Sequence, residues 1–199
     1  MKNASILLCL FAILAFSGVA MANDPVKGEK ETVSIDTEAS QIIWKGYKVT
    51  GSHTGTIKVK QGMLKFEEGV LTGGAFEIDM QTIACTDLKG GGAAKLEGHL
   101  KSDDFFGVAN FPTARFEITR AISRGTDGSY KIIGNLTIKE TTKEIKFNAD
   151  VKDNGAAAKI SIDRSDFNVR YGSGSFFDNL GDKTIYDEFE LEINLVTSK

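Results

Sequence analysis

The feature that most constrains this chain is its period of two. Tyr130, Ile132, Gly134, Leu136 and Ile138 alternate with Lys131, Asn135, Thr137 and Lys139, and Ile133 is the only apolar residue off phase. Ile145, Phe147, Ala149 and Val151 alternate with Lys146, Asn148, Asp150 and Lys152. Phe76, Ile78 and Met80 do the same against Glu77, Asp79 and Gln81, as do Phe189, Leu191, Ile193 and Leu195 against Glu190, Glu192 and Asn194. Side chains on a strand point alternately to opposite faces, so such segments present one dry and one wet face, as antiparallel strands do. Glu67-Glu68-Gly69, Gly125-Thr126-Asp127-Gly128 and Asp153-Asn154-Gly155 fall between the alternating runs. The last of these carries the Asn-Gly pair favoured in tight hairpins. The spacing predicts about eight strands in series, closing into a barrel or folding into a sandwich.

Helical signal is confined to one place. Ala93–Leu100 can form two turns with Leu96 and Leu100 on one face, after a flexible entry at Gly90-Gly91-Gly92. Residues 87–107 are therefore read as a long connection with a short helix, interrupting an otherwise all-β chain. Small residues in phase with the dry faces, Gly134, Ala149 and Ala158, leave room inside unless a neighbouring Phe fills it. An eight-stranded barrel is near the size at which the interior is either just filled or holds one small ligand.

The N-terminus bounds the compartment. Lys2, the uncharged apolar run Ile6–Phe16 and Ala20-Met21-Ala22 have the form of a secretory leader cut after Ala22. Residues 23–32 are polar and are expected to be a loose arm, with one domain over 33–199. The chain's 24 Lys and Arg and 27 Asp and Glu give a net charge of −3, and loss of Lys2 with the leader makes it −4. No basic footprint for nucleic acid is present, and no stretch after the leader has membrane-spanning length. Of the two cysteines, only Cys85 survives removal of the leader, so no internal disulfide forms. It ends an apolar strand and is expected to be at least half-buried.

Chemical candidates are few. The only histidines are His53 and His99. As a pair they suit a metal or haem, but neither has Cys or carboxylate neighbours at zinc-ligand spacing, and both flanks suit histidines bonded to backbone. Asp103 and Asp104 are adjacent and in a strand would point apart, so a shared-proton acid pair is disfavoured against a cap or turn role. Ser173 and Ser175 in YGSGSFF lack the nucleophile-elbow frame, and Gly90–Gly92 lack the Gly-Lys-Ser/Thr of a phosphate loop. Phe105, Phe106, Phe111, Phe176 and Phe177 lie in loops, where they either plug a barrel end or line the mouth of an apolar cavity. Arg164 and Asp163 read as a buried ion pair, or with Tyr171 as a head-group site.

Several blocks then agree in order: Gly51-Ser52-His53-Thr54-Gly55, the run from Gly74 to Met80, LEGHLKSDDFF at 96–106, Asn110-Phe111-Pro112-Thr113-Ala114-Arg115-Phe116, YKIIGNLTIK at 130–139 and Ile162-Asp163-Arg164-Ser165-Asp166-Phe167. Together, over about Val33 to Leu195, they resemble the YceI-like family. That resemblance implies an extended, eight-stranded, antiparallel, lipocalin-like barrel with a helical insertion. It also implies an internal cavity for a polyisoprenoid or similar lipid tail, export to the periplasm and, in many members, a homodimer. Glu140 stands where members commonly have Gly, at a hairpin tip.

The expected cavity wall comprises Trp44, Ile57 and Val59 from the first strands, and Phe76, Ile78 and Met80 from the next. Phe116, Ile118, Leu136, Ile138, Phe147, Leu191 and Ile193 complete it. Parity of the first strand is ambiguous, because Ile42 and Ile43 are both apolar. The lid at the mouth is assigned to His99, Leu100, Asp103, Phe105 and Phe106. The leading expectation is a non-catalytic periplasmic carrier or sequestering protein for a polyisoprenoid, isoprenoid quinone or acyl lipid. No catalytic or metal-binding residue is assigned, and no cofactor is expected apart from the lipid itself. Competing expectations are haem or redox binding through His53 or His99, an enzyme acting on a lipid head group through His99 with Asp103 or through Cys85, and a structural barrel with a filled core.

Overall fold

The computed structural model describes residues 28–152 and 154–198. The leader and the first residues of the arm lie outside this range. Eight antiparallel strands follow one another in space as in sequence: β1 (Lys30–Lys48), β2 (Gly51–Glu67), β3 (Val70–Cys85), β4 (Thr113–Ser123), β5 (Ser129–Ile138), β6 (Thr141–Lys152), β7 (Gly155–Asp163) and β8 (Ile185–Thr197). β8 pairs with β1 and closes the barrel. One helix, α1 (Gly91–Lys101), occupies the β3–β4 connection. Single-turn 3₁₀ segments at Arg164–Phe167 and Gly181–Lys183 shape the connection between β7 and β8.

Alternation dictates this arrangement. With hydrophobic groups on one face of every strand, closure is the solution that buries all the dry faces and leaves no free edge. The first three strands span 19, 17 and 16 residues, well beyond the usual length of about 5–6, and make the barrel tall. β1 bends within its length: its register shifts between Ser34 and Ile42, where Asp36 Oδ1 accepts the N–H groups of Glu38 and Ala39, both at 3.0 Å.

Two sequence expectations need correction. Lys30–Thr32 are not arm but the start of β1, paired with Glu67, Phe66 and Lys65. Their polarity reflects an exposed strand end, since backbone pairing does not require apolar side chains. Gly155 is not in the turn after β6 but is the first residue of β7, opposite Lys152. It is glycine because a Cβ there would run into the Leu195 carbonyl oxygen of β8.

β6 and β7 are zipped together over only four residue pairs, from Lys152↔Gly155 to Ala149↔Ala158. Beyond them the strands part, while β7 stays paired with β8 to Asp163. Next to the upper half of β6 sits the 3₁₀ turn at Arg164–Phe167, tied on by Lys143 Nζ to Asp166 Oδ1 at 3.5 Å.

The core has two tiers. At the lower end Ile35, Leu64, Leu71, Tyr130, Ile132 and Val151 pack together. The floor is pinned where Leu71 N–H donates to Tyr130 Oη at 3.3 Å, a buried bond between β3 and β5. At the upper end Met80, Ile83, Val108, Ala114, Ile138, Ile162 and Phe167 form a second cluster. Between the tiers the interior is not filled.

Candidate functional site

The unfilled interior is a cavity of about 620 Å³, within the range that accommodates a small-molecule ligand. All the residues expected to form its wall do so: Trp44, Ile57, Val59, Phe76, Ile78, Met80, Phe116, Ile118, Leu136, Ile138, Phe147, Leu191 and Ile193. The ambiguous parity of β1 resolves in favour of Ile42, which lines the cavity and is 4% exposed, leaving Ile43 on the outer face. Several inward residues, among them Ile145, Phe147, Ile160, Leu191 and Ile193, are only half-buried. Their remaining accessible surface is cavity wall.

Three phenylalanines cross the middle. The Phe76 and Phe116 rings are 6.4 Å apart, and Phe116 and Phe147 are 5.5 Å apart. Phe116 reaches over Gly134, where an added Cβ would sit 2.5 Å from its ring. Gly134 therefore adds no free space, because a neighbouring Phe takes the room. Ala149 and Ala158 do line the cavity, and they face each other as the last paired residues of β6 and β7. Trp44 Nε1 is satisfied by the Thr56 carbonyl at 3.2 Å.

At the upper end α1 lies across the cavity. Gly92, Lys95, Leu96, His99 and Leu100 line it, at the three- and four-residue spacing that puts side chains on one helical face. None of the helix's residues is fully buried, so its inner face borders space and not a packed core. Sequence reasoning found Leu96, His99 and Leu100 on this helix, but not Lys95. Phe105 and Phe106 line the mouth as expected, edge to face at 5.0 Å.

Asp103 does not line the mouth. It is exposed, and its Oδ1 accepts a hydrogen bond from Asn110 Nδ2 at 3.3 Å across the turn that follows α1. Phe111 also stays outside the cavity, against Gly107 and beneath the Lys139 ammonium at 5.9 Å. Phe176 and Phe177 are 40% and 51% exposed and do not reach it. In each case a polar or aromatic residue near the mouth in sequence is turned outward by loop geometry that has no periodic signature. The β5–β6 tip holds this segment: Lys139, at φ 55°, donates from Nζ to the Phe105 carbonyl at 3.4 Å.

Arg164 is buried in an ion pair, as expected from the sequence, but with a different partner. It lines the cavity, is 2% exposed and lies 5.3 Å from the Phe105 ring. Its ion-pair partner is Asp187, at 3.2 Å from Nη2, and not Asp163. Asp163 instead caps the 3₁₀ turn by accepting from Ser165 N–H at 2.8 Å. The guanidinium donates to the carbonyls of Val169, Ile185 and Tyr186 at 2.6, 2.9 and 3.2 Å. Burial pulls its pKa down from the usual arginine value, opposed by the charges of Asp187 and Asp163, and arginine remains protonated under such conditions.

His99 packs edge-on against Tyr171, 4.4 Å between ring centres, and against Phe105 at 5.6 Å. Among the described residues its buried Nε2 has no hydrogen-bond partner. His53 sits at the rim with Nδ1 3.0 Å from Asp87 Oδ2. Asp87 Oδ1 also takes the half-buried Cys85 thiol at 3.1 Å and the Thr54 N–H at 3.2 Å. Burial and the Asp87 contact raise the Cys85 pKa. For Asp87 burial acts upward, but the bonds from Cys85, His53 and Thr54 outweigh it and the net shift is down. Among the described residues no three His, Cys, Asp or Glu side chains converge as a metal-ligand group.

The model of the YceI-like domain matches residues 34–197. The chain belongs to the YceI-like family. Among curated relatives, a UPF0312 protein of Azotobacter vinelandii is 29% identical over 151 residues, covering 73% of this chain and 70% of the relative. One from Shewanella denitrificans is 30% identical over 88 residues, 44% of each chain. Among solved structures, Burkholderia cenocepacia BcnA superposes with a TM-score of 0.67 at 21% identity, covering 82% of this chain and 99% of its own. A polyisoprenoid binding domain from Saccharophagus degradans gives 0.60 at 14% identity, covering 83% and 97%. At these identities the structures establish that this YceI-like chain shares their fold.

Proposed function

We propose that this YceI-like protein is a periplasmic binding protein that carries or sequesters a polyisoprenoid, an isoprenoid quinone or a similar long-chain amphiphile. The observation that carries this reading is the unfilled barrel interior, walled by aliphatic and aromatic side chains from all eight strands and closed below by Leu64 and Leu71. Burying hydrocarbon there is worth about 0.8 kcal/mol per CH₂, so a chain of several isoprene units has ample drive without a charged anchor. The structural likeness to a domain described as polyisoprenoid-binding and the secretory form of residues 1–22 are consistent with it. A role in binding is supported further by Cys85, whose raised thiol pKa disfavours a nucleophilic thiolate.

Native mass spectrometry of protein purified without detergent, followed by solvent extraction, tests this directly. A stoichiometric mass increment that extracts as a prenyl or acyl compound is the expected result. Trp44 gives a second readout, because it is the chain's single tryptophan and it lines the cavity. Its emission should shift when farnesol or hexadecanol is added to delipidated protein. Failure of delipidated protein to take up any prenyl or acyl chain would refute the proposal.

A further inference from the structure

The cavity lining has a charge bias that the composition does not share. The chain as a whole is acidic, with 27 Asp and Glu against 24 Lys and Arg. Yet among the described residues no Asp or Glu lines the cavity, whereas Lys48, Lys95 and Arg164 do, together with His53 and His99. Asp187, Asp87 and Glu97 are engaged, while Glu188 and Glu190 lie with Asp187 beside Tyr47 and Tyr186. Asp187 pairs with Arg164 and accepts from Ser175 Oγ at 2.6 Å. Asp87 holds His53, Cys85 and Thr54, and Glu97 Oε1 accepts the Cys85 N–H at 2.8 Å.

Three groups remain uncommitted. Lys48, at the end of β1, and Lys95, on the inner face of α1, are exposed at the rim and make no ion pair among the described residues. His99 lines the cavity, and its Nε2 is closed to solvent and unpartnered among the described residues, a cost that a ligand atom relieves once the ring turns toward it. Arg164 adds little net attraction, since Asp187 and three carbonyls already satisfy it.

From this we infer that the amphiphile carries an anionic oxygen head group, a carboxylate or a phosphate, seated at the mouth between Lys48, Lys95 and His99 with its tail toward the Leu64–Leu71 floor. The inference rests on the carrier reading and makes it specific. A neutral alcohol or carbonyl satisfies His99 at most and leaves both ammonium groups without a counter-charge. An anionic oxygen accepts from His99 when its proton is on Nε2 and lies in the field of both lysines.

Matched pairs of the same chain decide it. Palmitate against hexadecanol, and farnesyl monophosphate against farnesol, are titrated into delipidated protein and followed by Trp44 emission and native mass spectrometry. In at least one pair the anion should bind about tenfold more tightly at low salt. That gap should close near 1 M salt and narrow in the Lys48→Gln/Lys95→Gln double variant, whose unfolding temperature serves as the control for folding. A preference confined to palmitate identifies the carboxylate as the head group, and one confined to farnesyl monophosphate identifies the phosphate. Alcohols binding as tightly as both anions would overturn the inference and leave the carrier reading intact. If none of the four binds, the carrier reading fails and this inference falls with it.

Discussion

Arg164 Nη2 lies 3.2 Å from Asp187 Oδ1, and the pair joins the turn after β7 to the start of β8 beneath the cavity mouth. That oxygen is close to the guanidinium yet off its donor directions, so it makes no aligned hydrogen bond, while Asp187 Oδ2 takes the Ser175 hydroxyl. Through Val169, Ile185 and Tyr186, Arg164 fixes the backbone on either side of residues 170–184. Tyr171, part of the mouth, belongs to that segment.

Arg164→Ala should therefore be strongly destabilising. It strands three carbonyls and a largely buried carboxylate, and breaking a buried pair costs about 3–5 kcal/mol. For a domain of this size the unfolding temperature should fall on the order of 10 °C. Arg164→Lys keeps the charge but not the planar fork, so it should fall between wild type and Ala. Thermal unfolding of the three proteins by circular dichroism checks the order; equal stability of all three would remove Arg164 from its organising role.

The Cys85–Asp87–His53 contact predicts a sluggish thiol. Burial and the hydrogen bond to Asp87 both favour the protonated form, and only thiolate is nucleophilic. Alkylation by iodoacetamide near pH 8 should be slower than that of a free cysteine. Asp87→Asn removes the carboxylate and should accelerate it, whereas an unchanged rate would show that burial alone controls the thiol. Asp87 has its own pH signature. Its carboxyl pKa is lowered in the folded protein, so its contribution is present above the usual carboxylate pKa and is lost as pH falls through the lowered value. The stability difference between wild type and Asp87→Asn, measured by thermal melts, should be visible at neutral pH and shrink below about pH 4.

How much of this was legible depended on periodicity. Wall residues such as Phe76, Ile118, Leu191 and Ile193 could be read because a two-residue repeat fixes which way each side chain points. Short connections made neighbours of β1 to β3 and of β4 to β7, while the longer ones before β4 and β8 left the order there to the fold. Burial of Arg164 in an ion pair was legible but its partner was not: Asp163 is its neighbour in IDRSDF, and only tertiary contacts bring Asp187 and the β8 carbonyls of Ile185 and Tyr186 to it. Asp103 and Phe176 were misplaced for the complementary reason: loops carry no repeat, so proximity in sequence to Phe105 or Tyr171 says nothing of direction. Gly134 had the correct parity, but the choice between open room and a filling Phe was not legible, since the occupant, Phe116, lies on another strand. The parting of β6 from β7 was not read from the sequence, because alternation within a strand says which way side chains point and not how far its neighbour stays paired.

Ala149 and Ala158 set the width of the lower cavity. Replacing Ala149 with Phe puts a ring into space that is otherwise open, so overpacking should cost no more than about 1–3 kcal/mol. Hexadecanol or palmitate should lose affinity, while a short chain that stops above the new ring, such as octanoate, should be affected less. Trp44-monitored titrations across chain length check this. An equal loss for all lengths would mean that the tail does not extend past β6.

The unzipped edge between β6 and β7 makes the last prediction. In the β5–β6 hairpin Ile138 and Thr141 flank a two-residue tip, so Thr141, Lys143, Ile145 and Phe147 direct their N–H groups to β5. The intervening residues Glu144, Lys146 and Asn148 direct theirs toward β7, where pairing has ended at Ala149↔Ala158. Their amides should therefore exchange with deuterium much faster than those of Ile145 and Phe147, despite lying in the same strand. Residue-resolved exchange by NMR distinguishes the two sets. Uniform protection along β6 would mean that β6 and β7 zip fully in solution, and would close the side of the barrel that the structure leaves open.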